Sequence, residues 1–127
     1  MERKCAIYNF YSINDKERLE SNREELIKYC VEQLKIKDYE VFEDVGSMLN
    51  ERKDFNRMIE QIHNKNFTDL LVKHPNRIFR AEYDKKKFDD IVTDIDKQGV
   101  LMHSIINFLP EKDKNDISKR IKAGRMR

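Results

Sequence analysis

Short apolar runs alternate along the chain with longer stretches in which apolar residues recur every three or four positions, and this alternation sets the expected elements. Cys5 to Tyr11 is apolar and aromatic and gives way at once to Ser12, Asn14 and Asp15, which predicts a buried strand ending in a loop. From Leu19 to Leu34 the residues Leu19, Leu26, Ile27, Cys30, Val31 and Leu34 fall at helical steps, with Glu20, Arg23, Glu24, Lys28 and Glu32 on the other side. Tyr39 to Val45 reads as a second strand broken by Gly46. Asp54 to His63 carries Phe55, Met58, Ile59 and Ile62 on one helical face, and Asp69 to Val72 is a third, short strand. Tyr83 to Lys97 places Phe88, Ile91, Val92 and Ile95 on a stripe that Gly99 ends, Val100 to Ile106 is a fourth strand, and Pro110 closes it. Residues 111 to 127 have the pattern of one more polar helix containing Ile117 and Ile121.

Strands and helices alternating at this spacing predict an α/β domain with a mainly parallel sheet of four to five strands flanked by helices in three layers. In such folds ligands sit beyond the carboxyl ends of the strands, so the loops after Tyr11, Val45 and Val72 are the places to search.

Composition narrows the class. The chain has 127 residues, one domain by length, with 39% charged and 39% hydrophobic residues and only five Gly plus Pro, which excludes collagen-like, linker-like and wholly disordered sequence. Cys5 and Cys30 sit in a strand and a helix without any CxxC, as packed thiols of a reducing compartment do. No apolar run approaches the roughly 20 residues needed to span a bilayer, and Met1 to Cys5 lacks a signal peptide's apolar stretch, so a cytoplasmic protein without membrane contact is expected. His63, His74 and His103 are far apart, so core or solvent positions are expected of them and no metal site. The net charge of +2 conceals an asymmetry: from Glu111 onward seven Lys/Arg face three Asp/Glu, leaving the first 110 residues at −2.

Candidate chemistry lies in the loops. Ser12 follows the first strand; a serine there serves as a turn cap or as a nucleophile. Arg77 and Arg80 lie three apart after the third strand, a spacing that on a helix lets both guanidinium groups converge on a phosphate. Arg52 opens the second helix, where free N–H groups favour anions. The three glycines are isolated, which excludes a Walker loop and a dinucleotide fingerprint, and no Ser/His/Asp order fits a hydrolase. One serine and several arginines suit phosphoryl transfer by electrostatic stabilisation, without a cofactor or small-molecule substrate.

In their order these segments resemble the catalytic domain of the serine recombinases, the resolvase/invertase family, from about Lys4 to Ile106. Ala6-Ile7-Tyr8-Asn9-Phe10-Tyr11-Ser12 is similar to the family's Ala-x-Tyr-x-Arg-Val-Ser, and the segment from Leu19 to Leu26 to its Leu-Glu-x-Gln-Arg-x-x-Leu. Val41-Phe42-Glu43-Asp44 resembles its second strand, Arg52 to Met58 its Arg-Pro-x-Phe-x-Arg-Leu, Asn76-Arg77-Ile78-Phe79-Arg80 its Asp-Arg-Leu-Ser-Arg, and Gln98-Gly99-Val100 its last helix-to-strand turn. The resemblance implies a metal-free and cofactor-free reaction on double-stranded DNA through a 5′-phosphoserine link, in a dimer that pairs into a tetramer. Ser12 is then the nucleophile, Arg52, Arg77 and Arg80 bind the phosphate, and Asp44, Asn22 and Asn76 are accessory. The catalytic domain would cover residues 1–109. Residues 110–127 would be a stub of the dimerisation and DNA-crossing helix, with Lys119, Arg120, Lys122 and Arg125 on phosphates and no recognition module after it.

Three positions depart from the pattern: Phe10 stands where the family has arginine, Asn22 where it has glutamine, and Asn76 where it has aspartate. The loop 46–49 is also shorter than its counterpart. A missing donor to the developing charge costs about 10²–10³ in rate. The departures therefore define an alternative, a catalytically degenerate domain that acts as a dimerising or DNA-associated accessory protein. An unrelated phosphate-binding α/β domain is the third reading.

Overall fold

The computed structural model describes residues 2–11, 16–46, 51–79 and 84–106. Strand β1 (Cys5–Tyr11) leads into helix α1 (Lys16–Lys28), which widens into a π-helical turn (Tyr29–Gln33). Strand β2 (Tyr39–Val45), helix α2 (Lys53–His63), strand β3 (Asp69–Val72), a 3₁₀ turn (Pro75–Arg77), helix α3 (Lys85–Lys97) and strand β4 (Leu101–Ser104) follow. The strands form one parallel sheet in the order β2-β1-β3-β4. This is the α/β architecture expected from the alternation of apolar runs and amphipathic stretches.

Period-2 alternation divides the sheet's side chains between two cores. Ala6, Tyr8 and Phe10 of β1 join Phe42, Leu70, Val72 and Met102 under α2 and α3, which contribute Phe55, Met58, Ile62, Phe88, Val92 and Ile95. Cys5, Ile7 and Leu71 face the other way and pack with Leu26, Cys30 and Ile36 of α1 and the segment after it. All seven residues of β1 are buried, which is why that stretch reads as a continuous apolar run and not as an alternating one. Both cysteines are free, fully buried thiols.

Two expected elements differ in extent. The stripe from Leu19 to Leu34 is not one α-helix, because the π turn adds a residue to the repeat and Lys35 then reverses the chain with φ 60°. The added residue shifts the phase, so Val31, expected on the apolar face, is 37% exposed. Strand β4 is shorter than the expected Val100 to Ile106, since the N–H of Val100 bonds back to Ile95 at the end of α3. Main-chain pairing nevertheless continues past it, with Ile105 N–H on Val72 and Ile106 N–H on Lys73. The expected start of the third helix at Tyr83 and the polar helix of residues 111–127 lie outside the described residues.

At the amino-terminal end of the sheet a buried ionic cluster joins three parts of the chain. Asp69 opens β3 at 1% exposure and accepts hydrogen bonds from His103 Nε2 of β4 (2.7 Å), Arg3 Nη2 (2.8 Å) and the Thr68 hydroxyl (2.6 Å). Burial alone would raise its carboxyl, but the bonds from His103, Arg3 and Thr68 outweigh it and hold the group well below the usual aspartate range. His103 is thus a core histidine, as expected, while His63 pairs with Asp94 at the surface and His74 accepts the N–H of Asn76.

Candidate active site

The opposite, carboxyl end of β1 carries two arginines. Arg52 precedes α2 in an extended conformation, φ −108° and ψ 92°, which turns its side chain inward to only 7% exposure. Its guanidinium carbon lies 4.1 Å from the ring centre of Phe55, 5.8 Å from those of Tyr8 and Phe10, and 6.0 Å from that of Phe79. Two of its N–H groups donate to main-chain carbonyls, Nη1 to Arg77 (3.1 Å) and Nη2 to Ile78 (2.7 Å). A cation is tolerated there because ring faces and carbonyl dipoles replace the lost water.

Arg77 ends the 3₁₀ turn that follows β3, and its guanidinium carbon lies 4.5 Å from the ring centre of Tyr11. Strand alternation puts Phe10 and Tyr11 on opposite faces of β1, so the two cations straddle the strand end, and the Arg52 to Arg77 hydrogen bond ties them together. Among the described residues no carboxylate lies within ion-pair distance of either guanidinium. Among the described residues neither charge is therefore neutralised by a direct ion pair. A cleft of about 340 Å³ between α2 and α3 reaches Arg52, bordered by Phe55, Asn56, Ile59, Lys87 and Ile91.

Asp44, at the end of β2, has a different task from the arginines. Its carboxylate accepts the N–H groups of Asp54 (3.0 Å) and Phe55 (2.9 Å) and the hydroxyl of Tyr8 (2.8 Å). Two of the N–H groups expected to attract an external anion at the start of α2 are thus already engaged. Asp54 reciprocates by accepting the Glu43 N–H (3.0 Å), so β2 and α2 are stitched in both directions. Burial raises the Tyr8 phenol far above its usual range, against the pull of Arg52 and with the help of Asp44, so it stays a protonated donor. Replacing Asp44 with asparagine keeps one acceptor but loses the charge at the helix start; urea unfolding should show a loss of about 1–2 kcal/mol.

The remaining accessory residues divide. Asn22 is nearly buried and donates to the Arg18 carbonyl one turn back in α1 (2.7 Å), a local helix contact. Asn76 neighbours Arg77, and its side-chain oxygen is buried without a hydrogen-bond partner. Phe10 is 6% exposed and lies in the core, 6.4 Å from Tyr8 ring centre to ring centre, where it supplies no donor. Ser12, Arg80, Lys119, Arg120, Lys122 and Arg125 lie outside the described residues. What residue types alone did not disclose is the aromatic enclosure of Tyr8, Tyr11, Phe55 and Phe79; the density of rings around residues 8–11 was its one sequence signal.

A sequence model described as the Resolvase, N terminal domain, matches residues 6–127. The chain belongs to this resolvase family. None of the curated proteins matches this chain in sequence. Among solved structures it is similar to the C-terminal catalytic domain of ISC1926 TnpA, an IS607-like serine recombinase, at 21% identity and TM-score 0.73, covering 94% of this chain and 79% of that one. A serine recombinase from Sulfolobus solfataricus matches at 21% identity and TM-score 0.65, covering 98% and 99%. A resolvase family site-specific recombinase from Streptococcus pneumoniae matches at 23% identity and TM-score 0.63, covering 98% and 87%. These likenesses establish the fold of the resolvase domain. Among its described residues no helix is long and apolar enough to cross a membrane.

Proposed function

We propose that this resolvase domain cleaves and rejoins DNA strands through Ser12, with Arg52, Arg77 and Arg80 as its phosphate-binding cations. The observation that carries the reading is the pair of guanidinium groups near the end of β1, neither in an ion pair among the described residues, on a strand whose last residue precedes Ser12 in sequence. In the reaction the Ser12 oxygen forms a bond to the scissile phosphorus, the bond from phosphorus to the 3′ oxygen breaks, and the serine proton ends on the released 3′ hydroxyl. The phosphoserine link conserves the phosphodiester, so the reverse step reseals a strand without nucleotide energy. Arginine suits the transition state because its fork of donors is always ionised and matches phosphate oxygens. Arg52 already spends two N–H groups on carbonyls, so Arg77, whose guanidinium has no hydrogen-bond or ion-pair partner among the described residues, is assigned the larger share of direct phosphate contact.

DNA engagement in this reading takes a dimer that pairs into a tetramer, with Lys119, Arg120, Lys122 and Arg125 adding phosphate contacts, in the compartment that holds the DNA. Residues 1–109 act as the catalytic domain and residues 110–127 as the start of the DNA-crossing helix. A second reading, a non-cleaving accessory protein, is favoured by Phe10, whose buried ring occupies a position where the family pattern has an arginine.

The deciding experiment incubates the protein with supercoiled plasmid carrying the DNA that flanks its own gene, then searches by denaturing electrophoresis and mass spectrometry for a covalent adduct. A DNA adduct on residue 12 that is absent from Ser12→Ala supports cleavage. DNA binding without any adduct selects the accessory reading.

A further inference from the structure

We infer that Tyr11 is the positioning residue for Arg77, its ring holding the guanidinium in place without drawing on the terminal N–H groups, which are left for a phosphate. The inference deepens the cleavage reading and rests on it for its catalytic meaning.

Four observations converge on Tyr11. The ring is fixed: Tyr11 is 6% exposed, pairs with Val45 in the sheet, and its carbonyl accepts the Gly46 N–H at 3.0 Å. The guanidinium of Arg77 lies over that ring, 4.5 Å from its centre. Arg77 Nε is buried without a hydrogen-bond partner, and no carboxylate among the described residues pairs with the group. The main chain of Arg77 is clamped separately, its N–H on the His74 carbonyl at 2.9 Å and its own carbonyl under Arg52. The backbone of Arg77 is thus secured by hydrogen bonds, and among the described residues its side-chain head rests on the Tyr11 ring.

The chemistry of that support differs from the usual way of fixing an arginine. A carboxylate would orient the fork but also occupy two donors and cancel the charge. A ring face restrains the planar group from above, through the attraction between cation and quadrupole, while the N–H groups point outward in the plane. An aliphatic residue at position 11 would fill the same space and leave the head free to rotate. Tyr11 also directly precedes Ser12 in sequence, so the support for the phosphate ligand and the candidate nucleophile are chain neighbours.

The test uses the full chain with Tyr11→Phe and Tyr11→Leu. The first readout is the Arg77 Nε–H resonance in ¹⁵N NMR, which a ring face shifts upfield. It should stay shifted in Tyr11→Phe and move to the ordinary arginine position in Tyr11→Leu. The second is a titration with inorganic phosphate followed at the same resonance, where Tyr11→Leu should bind about fivefold more weakly and Tyr11→Phe within twofold of the parent. The third, single-turnover cleavage at saturating DNA, should fall about tenfold in Tyr11→Leu with DNA affinity little changed, and recover in Tyr11→Phe. An Arg77 resonance that ignores the loss of the ring, or phosphate affinity equal in all three proteins, overturns the inference. Failure of the parent to form a serine adduct overturns the cleavage reading instead, and leaves the two NMR readouts to decide on Tyr11.

Discussion

Arg77→Ala is expected to slow single-turnover strand cleavage by about 10²–10³ at saturating DNA, the loss that follows removal of one preorganised donor to a developing charge. The fold should survive the change. Among the described residues the hydrogen bonds that Arg77 gives the protein are main-chain ones, the carbonyl bonded to Arg52 and the N–H bonded to His74, and alanine retains both while giving up the side chain's contact with the Tyr11 ring. Binding should suffer less than chemistry, because one of several phosphate contacts is lost; the slope of log affinity against log salt should fall by about 0.9 for that contact. Quenched-flow cleavage alongside a salt series of DNA affinities separates the two. Equal losses in rate and affinity would remove Arg77 from the transition state and leave it as a ground-state contact only.

Asp69→Ala, at the other end of the sheet, should lower the unfolding free energy by about 3–5 kcal/mol, the range for removing one member of a buried charged cluster. The carboxylate is the shared acceptor of His103, Arg3 and Thr68, and Nδ1 of the His103 ring is already buried without a partner. Taking Asp69 away strands the other nitrogen too. Most of the loss comes from the His103 side, since Arg3 is nearly half exposed and water screens its share. The pH dependence follows from the depressed folded value. Asp69 binds a proton more readily in the unfolded chain, so its stabilisation is complete above the unfolded aspartate value of about 3.9 and is withdrawn as pH falls below it toward the folded value. Urea midpoints measured from pH 7 down to pH 2 should drop across that window in the parent and flatten in Asp69→Asn. A parent curve that stays level there would show that the cluster carries no net charge energy.

The strands were legible because β1 and β3 are predominantly apolar, with Asn9 and Asp69 as their polar exceptions, and because polar residues mark their ends. Helix α2 was legible from Phe55, Met58 and Ile62. The stripe through Val31 misled because a π turn has no composition signature; it shows only in which carbonyl the Leu34 N–H reaches, that of Tyr29. For the site, residue types pointed to Arg52 and Arg77, and the structure brings those two together. Their division of labour was not legible. Arg52 is defined by bonds to the carbonyls of Arg77 and Ile78, and main-chain acceptors leave no mark in a sequence. Asp44 was expected near the site, but its partners are the N–H groups of Asp54 and Phe55, which depend on how β2 meets α2 in space. Asp69 drew attention only as the first residue of a strand, because its partners at positions 3 and 103 come from distant parts of the chain.

The seven residues of β1 separate the Asp69 cluster from the arginine pair by roughly 20 Å, at about 3.3 Å per residue. The domain therefore has an anchored end and an end that carries the candidate site, joined by a rigid rod. Substitutions at one are too far from the other to couple, so their energetic effects add. A lineage carrying this domain can lose or rework the chemistry around Phe10 and Arg77 while its folding remains secured from the opposite pole. That independence lets substitutions accumulate around the arginine pair in small steps, each of which leaves a folded protein.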